Sequence, residues 1–235
     1  MTSIYRGFVN RDNMAWFNGG PFRVLKVVGP DSFGYADDFI ATDVAANVVP
    51  GWTHTLVNAS TVTVDKTSGG HLVYTTAGAE NDGVNGQLDG ESFEITTGQA
   101  LVYFGIKFQA SEATQSDFLV GLGIGGTTDA LGGISDAVYF EKLDGSTAIK
   151  LVTEKNNTET TSASLGTFAA ATDTTLEFYF DGTTVTGLVN GVVKGTSTTN
   201  LPNDEALTPT IHFLTGDNSA ETMTIDWVRA FQVGR

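Results

Sequence analysis

Residues Thr174–Ser197 read TTLEFYFDGTTVTGLVNGVVKGTS, three strand-like runs joined by Asp181-Gly182 and Asn190-Gly191. In the first run Leu176, Phe178 and Phe180 share one face while Glu177, Tyr179 and Asp181 share the other, the period of two that a half-buried strand imposes. Asp-Gly and Asn-Gly suit the type I′ hairpin turn, in which both central residues take positive φ. The stretch reads as an antiparallel meander.

Working outward, the same short alternating runs recur on both sides. Trp52 to Val57, Thr61 to Asp65 and His71 to Thr76 read as strands separated by turn residues, while Ala77 to Gly90 reads as a long loop with one short strand at its centre. Ala100 to Ala110 alternates Val102, Phe104, Ile106 and Phe108 with Tyr103, Gly105 and Lys107, as a central strand does. Phe118 to Ile124, with glycines 121 and 123 leaving space on one face, precedes a glycine-rich turn at Gly125 to Gly133. Ala137 to Leu143 and Ala148 to Glu154 form a hairpin through Asp144-Gly145, with its faces only weakly set by Tyr139 and Lys142. Thr210 to Leu214 and Glu221 to Val233 complete the series, and in the last strand Met223, Ile225, Trp227, Phe231 and Val233 are read on one face, interrupted by Arg229. About a dozen short strands at this spacing, without a fixed repeat, predict an all-β, two-sheet antiparallel sandwich.

Composition narrows the function classes. The 235 residues contain no cysteine, which removes disulfides, thiolate metal sites and cysteine nucleophiles. No apolar core of signal-peptide length opens the sequence and nowhere do 18 apolar residues run together, so the expectation is a soluble protein used in the form in which it is made. The net charge of −15 divides into +3 over residues 1–30 and −18 over the rest. An acidic body argues against nucleic acid and anionic membranes, whose phosphates need a positive surface.

Residues 1–34 stand apart as an irregular N-terminal arm, with the sandwich assigned to 35–235. The arm sets Tyr5, Phe8, Trp16, Phe17, Phe22 and Phe33 among Arg6, Arg11 and Arg23. Aromatic and arginine side chains are what protein interfaces select, because they bring contact area and directional hydrogen bonds. The equally open alternative is an arm that covers an end of its own sandwich.

Two pieces together resemble the concanavalin A-like lectin/glucanase jelly-roll superfamily. One is FYFDGTTVTGLVNGVVKG at 178–195; the other is Ile225-Asp226-Trp227-Val228-Arg229-Ala230-Phe231, similar to the IDxVRxF/Y ending common there, with Asp37-Asp38-Phe39 and Trp52 in keeping. The resemblance spans about 35–235 and implies a jelly roll. It also offers glucanases, lectins, laminin G-like modules and capsid-surface proteins of tailed phages as relatives.

Glucanases of the superfamily carry Glu-x-Asp-x-x-Glu or Glu-x-Asp-x-Glu on one strand, placing two carboxylates for retaining hydrolysis. No such run occurs here. In Asp89-Gly90-Glu91-Ser92-Phe93-Glu94 the first two carboxylates share a face and Glu94 points away, as in a polar turn entering a strand. His54, His71 and His212 lack ligand spacing, and calcium, the one metal kept open, has only the loops holding Asp37 and Asp38, Glu80-Asn81-Asp82, and Asp217-Asn218. Gly121 to Gly126 is a glycine loop without the following helix that phosphate binding needs.

The expectation is thus a non-enzymatic capsid decoration or cement protein in the virion, without catalytic residues, metal or cofactor. Arg6, Phe8, Arg11, Trp16, Phe17, Phe22 and Arg23 would hold the major capsid protein or a neighbouring subunit, and the protein would be a homo-oligomer, a trimer on capsid geometry. The alternative is a lectin-like module that binds a glycan for host adhesion, with Trp52, Tyr74, Tyr103, Tyr139 and Tyr179 as aromatic platform.

Overall fold

The structure, a computed structural model, describes residues 32–40, 48–98 and 101–233. One sheet contains β1 (Ser32–Asp37), β3 (Thr61–Asp65), β4 (His71–Thr75), β7 (Leu101–Ala110), β13 (Thr174–Phe180), β14 (Val185–Val189), β15 (Val192–Ser197) and β17 (Thr222–Val233). Its order is β15-β14-β13-β7-β17-β4-β3, with β1 also paired to β17. The second contains β2 (Trp52–Leu56), β5 (Gly83–Leu88), β6 (Phe93–Glu94), β8 (Ser116–Gly123), β9 (Ala137–Lys142), β10 (Ala148–Lys155), β11 (Thr158–Thr161), β12 (Gly166–Thr167) and β16 (Ala206–Thr215). Its order is β11-β10-β9-β8-β16-β5-β2, with β12 on β10 and β6 on β16. All pairs are antiparallel. The protein is a two-sheet jelly-roll sandwich.

Alternation supplies the core between the sheets. Phe104, Ile106 and Phe108 of β7, Leu176, Phe178 and Phe180 of β13, and Phe118, Val120 and Leu122 of β8 are all buried in one cluster. Aromatic rings lock the layers, with Phe108 edge-on to Phe118 at 5.1 Å and Phe118 edge-on to Phe168 at 5.2 Å. Burying rings of this size contributes roughly 2–3 kcal/mol each before entropy is charged.

The meander forms as expected, with Asn190 at φ +51° and Gly191 at φ +74°. The Asp181-Gly182 turn differs. Only Gly182 takes positive φ, and the loop runs Asp181 to Thr184, because the Asp181 carboxylate accepts the amides of Thr183 and Thr184 at 2.9 and 2.8 Å. That side-chain cap substitutes for the tight two-residue turn.

Two further readings are corrected. The register of β17 against β7 slips between Ile225 and Trp227, so Met223 and Ile225 face the core, but beyond the bulge it is Val228 and Ala230 that do. Trp227 and Phe231 are only half buried and lie on the outer side; a bulge inserts one residue and inverts the alternation after it. Ala77 to Gly90 does hold the one short strand expected there, β5, but as a central strand paired on both sides by β2 and β16. Its glycines and amides hide it because burial comes from neighbours, not from its own apolar content.

The first strand begins at Ser32, within the segment read as arm. Arg6, Phe8, Arg11, Trp16, Phe17, Phe22 and Arg23 lie outside the described residues.

Candidate functional site

Core residues point one way from the nine-stranded sheet, so the alternate positions build its outer face. Registers align them in rungs across the strands. One rung runs Thr53, Gln87, Thr210, Gly121, Tyr139, Val152, Thr161; the next runs Thr55, Asn85, His212, Leu119, Glu141, Lys150; a third runs Thr208, Gly123, Ala137, Glu154, Glu159.

The middle of this face is covered. Residues 124–136 fold back over it and include the one-turn helix α1 (Ala130–Gly133). Ala130 and Ile134, with Ile124 and Leu131, pack on Leu119, Ala137, Tyr139 and Val152 in a second apolar cluster. Polar side chains of the sheet staple the cover down. Gln87 donates to the Ile124 carbonyl at 2.9 Å and accepts the Thr127 amide at 3.0 Å, while Asn85 donates to the Thr127 carbonyl at 2.6 Å. His212 Nδ1 accepts the amides of Ala130 and Leu131 at 3.1 and 3.2 Å, and burial lowers its pKa to about 4. The glycines at 121 and 123 therefore do not leave an open surface. A Cβ on Gly123 would meet Ile134 Cδ1 at 2.1 Å, so the missing side chain is what seats the cover.

On one side of the cover lies a cleft of about 440 Å³ over β2, β5 and β16, lined by Thr53, Thr55, Asn85, Gln87, Asp89 and Glu91 together with Gly125, Thr127 and Thr208. Asp89 and Glu91, read as a polar turn, stand on its rim. Asp89 accepts the Thr53 hydroxyl at 2.8 Å and Glu91 accepts the Gly125 amide at 2.5 Å. Glu94 is not part of it; its backbone amide bonds Gln232 across the other side.

On the other side, at the β9–β10–β11 edge, Glu154 and Glu159 face each other directly across an antiparallel pair. Like charges in that position repel. The Tyr139 hydroxyl reaches both, at 3.4 Å to an oxygen of each carboxylate, which holds those oxygens within about 7 Å of one another. One hydroxyl has one proton, so both contacts are satisfied only when a carboxyl group carries its own. Burial, and then the Glu159 charge, push the Glu154 carboxyl up to about 7. Glu154 is 5% exposed whereas Glu159 lies in solvent. Glu141 is raised too, chiefly by burial, with Lys150 opposing the shift from 3.6 Å. The result is a buried carboxyl group that holds its proton up to about neutral pH beside a second, solvent-exposed one, an asymmetry that acid–base chemistry can use.

Sequence reading passed over this pair. The signal was Lys155-Asn156-Asn157-Thr158: both asparagines take positive φ, at +50° and +60°. A two-residue hairpin there forces Glu154 opposite Glu159.

The aromatic platform expected for a lectin is not assembled. Trp52, Tyr74, Tyr103 and Tyr139 are buried at 5, 0, 7 and 3% exposure, on different faces. Trp52 instead donates to Tyr35 at 2.9 Å and Tyr74 pairs with His54 Nε2 at 3.1 Å. Tyr179, half buried, is the register partner of Tyr103 on the outer face of the eight-stranded sheet, where Tyr103 itself is covered. The carboxylates considered for calcium serve their own turns. Asp37 accepts the Phe39 amide at 2.7 Å, Asp82 the Ala79 amide at 2.9 Å, and Asp217 the Ser219 amide at 2.7 Å.

No family model matches the sequence, and no curated protein matches it either. Solved structures do. The Bacillus licheniformis β-glucanase superposes with a TM-score of 0.59 at 16% identity, over 84% of this chain and 97% of that one. The endo-1,3-β-glucanase of Streptomyces sioyaensis gives 0.61 at 12% identity, over 90% and 100%. A glycoside hydrolase family 16 endo-glucanase from Bacteroides ovatus gives 0.59 at 12%, over 83% and 98%. These likenesses establish the concanavalin A-like jelly roll.

They also overturn the reading of a non-enzymatic capsid decoration protein. That reading rested on a resemblance at the level of the fold and on the absence of a carboxylate motif along one strand. The structures that superpose on nearly the whole chain are glycan-cutting enzymes, and a carboxylate pair is present after all, assembled across two strands. The cement-protein assignment is withdrawn.

Proposed function

We propose that the protein is a carbohydrate-active enzyme that cleaves or transfers glycosidic bonds of a β-glucan-type polysaccharide, with Glu154 as proton donor and Glu159 as its carboxylate partner. The observation that carries the reading is the cross-strand pair itself: two carboxyl groups bridged by Tyr139, one buried with its pKa raised to about 7 and the other exposed to solvent.

The chemistry follows from that asymmetry. Glu154 gives its proton to the glycosidic oxygen as the bond to the anomeric carbon breaks, and the leaving sugar departs as an alcohol. Glu159 then attacks the anomeric carbon, and water or a second sugar hydroxyl releases the product while returning a proton to Glu154. A separation within about 7 Å accommodates the roughly 5–5.5 Å of a retaining pair. Tyr139 orients both groups without changing charge, since burial and the surrounding glutamates raise its hydroxyl far above neutrality.

The test is release of reducing ends from mixed-linkage and 1,3-linked β-glucans by the purified chain. The wild type is expected to release them, and Glu154→Gln and Glu159→Gln to be slower by about 10²–10⁴-fold. Equal rates in wild type and both variants, or no release from either glucan, sink the assignment.

A further inference from the structure

We infer that a second cleft, between the cover and the turn that follows β9, anchors an uncharged hexose unit of a glycan chain through the buried His212 imidazole. The inference deepens the carbohydrate reading above and rests on it for the choice of a saccharide, but its residues are separate from the Glu154–Glu159 pair. The cleft has a volume of about 480 Å³, and Val57, Asp117, Leu131, Leu143, Asp144 and His212 stand in its wall. It lies at the opposite end of β9 from the pair: Glu154 is registered on Ala137, and Leu143 follows the last residue of that strand, on the order of 20 Å away at the rise of a strand.

The argument starts from the two nitrogens of His212, a residue only 2% exposed. Nδ1 accepts the backbone amides of Ala130 and Leu131. The neutral ring has one N–H, so its proton must sit on Nε2. Burial, which lowers the pKa to about 4, keeps the ring in that form at neutral pH. Among the described residues the unpartnered side-chain nitrogens and oxygens sealed from solvent are His54 Nδ1 and Asn85 Oδ1. Nε2 is not one of them and no described residue bonds it, so it opens into the cleft that His212 lines. A buried donor without a partner is costly, and a ligand that brings an acceptor removes the cost. That acceptor is not a metal ion's lone-pair site, because a nitrogen that carries its proton cannot coordinate a cation.

The rest of the wall fixes the chemistry of the newcomer. Asp117 spends one carboxylate oxygen on the Asp144 amide at 2.7 Å, and a carboxylate accepts several bonds. The cleft therefore presents one donor on its floor and acceptors beside it. An anion would satisfy Nε2–H but meet the carboxylates, and an ammonium would satisfy the carboxylates but not Nε2–H. A sugar hydroxyl does both, since it accepts from Nε2–H and donates to a carboxylate without carrying charge. Val57 and Leu143, both exposed, and Leu131 offer apolar surface to the C–H face of the same ring, and a cleft of about 480 Å³ is of the size that holds a small ligand.

The imidazole signals of His212 in nuclear magnetic resonance report the site directly. The full chain carrying Glu154→Gln, which spares the probe from cleavage, is titrated with cellotetraose, a galacturonic acid tetrasaccharide and a glucosamine tetrasaccharide. Cellotetraose is expected to move the Nε2–H signal of His212 while Nδ1 keeps the shift of an acceptor, and the two charged probes to leave it in place. An unmoved signal at saturating cellotetraose overturns the inference, as does an equal displacement by either charged probe. Val57→Trp and, separately, Leu143→Trp place an indole in the cleft at exposed positions, and each should weaken the response to cellotetraose at least tenfold. A response that survives both assigns the sugar to another surface. Should neither variant fold, amide shifts on the Glu154→Gln chain decide: perturbation centred on Asp117, Leu131 and Asp144 supports the site, and perturbation elsewhere refutes it. Glucan cleavage by the wild type with a silent His212 would sink this inference alone, and a responsive His212 without cleavage would sink the enzyme reading alone.

Discussion

The outer faces of the two sheets handle charge in opposite ways. On the eight-stranded sheet each charge near the centre meets a complement: Lys107 lies 2.9 Å from Asp173 and 2.7 Å from Asp226, Tyr103 donates to Glu177 at 2.8 Å, and the Arg229 guanidinium sits 4.5 Å from the Trp227 ring. On the nine-stranded sheet Lys150 meets Glu141 at 3.6 Å, but Glu154 stands against Glu159, and Asp89 and Glu91 edge a cleft with no lysine or arginine among the described residues that line it. A sheet that only needed to fold would adopt the first arrangement throughout. The departure from it marks where the fold gives up stability for chemistry.

The comparison breaks first, and most visibly, in paired variants. Glu159→Gln should cost at least a hundredfold in glucan cleavage while raising stability at pH 8, above the Glu154 pKa of about 7, because it removes the repulsion. Glu177→Gln on the opposite face should leave cleavage unchanged and lower stability by about 1 kcal/mol through the weakened Tyr103 bond. Kinetics beside thermal unfolding of both variants would show it, and similar behaviour of the two would erase the distinction.

Proton linkage gives the next largest effect. Glu154 has its pKa raised in the folded state, so the native chain holds a proton that the unfolded chain has lost, and stability falls as pH rises from about 4.5 to 7. The loss amounts to up to about 3 kcal/mol. His54 and His212 act with the opposite sign: burial lowers both to about 4, so stability falls as pH drops from 6.5 toward 4. The two trends offset each other in the wild type. Denaturant unfolding of Glu154→Gln between pH 4.5 and 7 should show stability rising more steeply with pH than in the wild type; an unchanged profile would mean Glu154 does not titrate with a raised pKa.

Legibility in the sequence followed the same division. The strands of the meander could be read because their alternation and the Asn190-Gly191 turn are local. The bulge at Asp226 could not, since it depends on the partners that β7, β4 and β1 present to one strand. The cleft was hidden inside a segment read mostly as loop, where Gly83, Asn85 and Gly86 dilute the pattern although neighbours on both sides bury it. The carboxylate pair escaped a search along single strands because it spans two.

The turn at Asn190-Gly191 offers a smaller, purely conformational control. Gly191→Ala forces a side chain into φ +74°, which costs roughly 1–2 kcal/mol, and thermal unfolding should register it with cleavage untouched. A loss of cleavage there would mean that the meander communicates with the distant face.

The smallest effect is the sharpest, because its sign is what matters. Asp226 is the extra residue of the bulge, left out of the ladder between Ile225↔Phe108 and Trp227↔Lys107, and its carboxylate turns onto the Lys107 ammonium, which in consequence holds its proton more firmly than an ordinary lysine. Both side chains are about a third exposed, so water and salt screen the pair and its coupling should be favourable by no more than about 1 kcal/mol. A double-mutant cycle with Lys107→Met and Asp226→Asn measures it, and added salt should shrink it. The same cycle on Glu154→Gln and Glu159→Gln at pH 8 should return a coupling of unfavourable sign. If the second cycle were also favourable, the two glutamates would be sharing a proton as a stabilising bond, and their opposition would be structural.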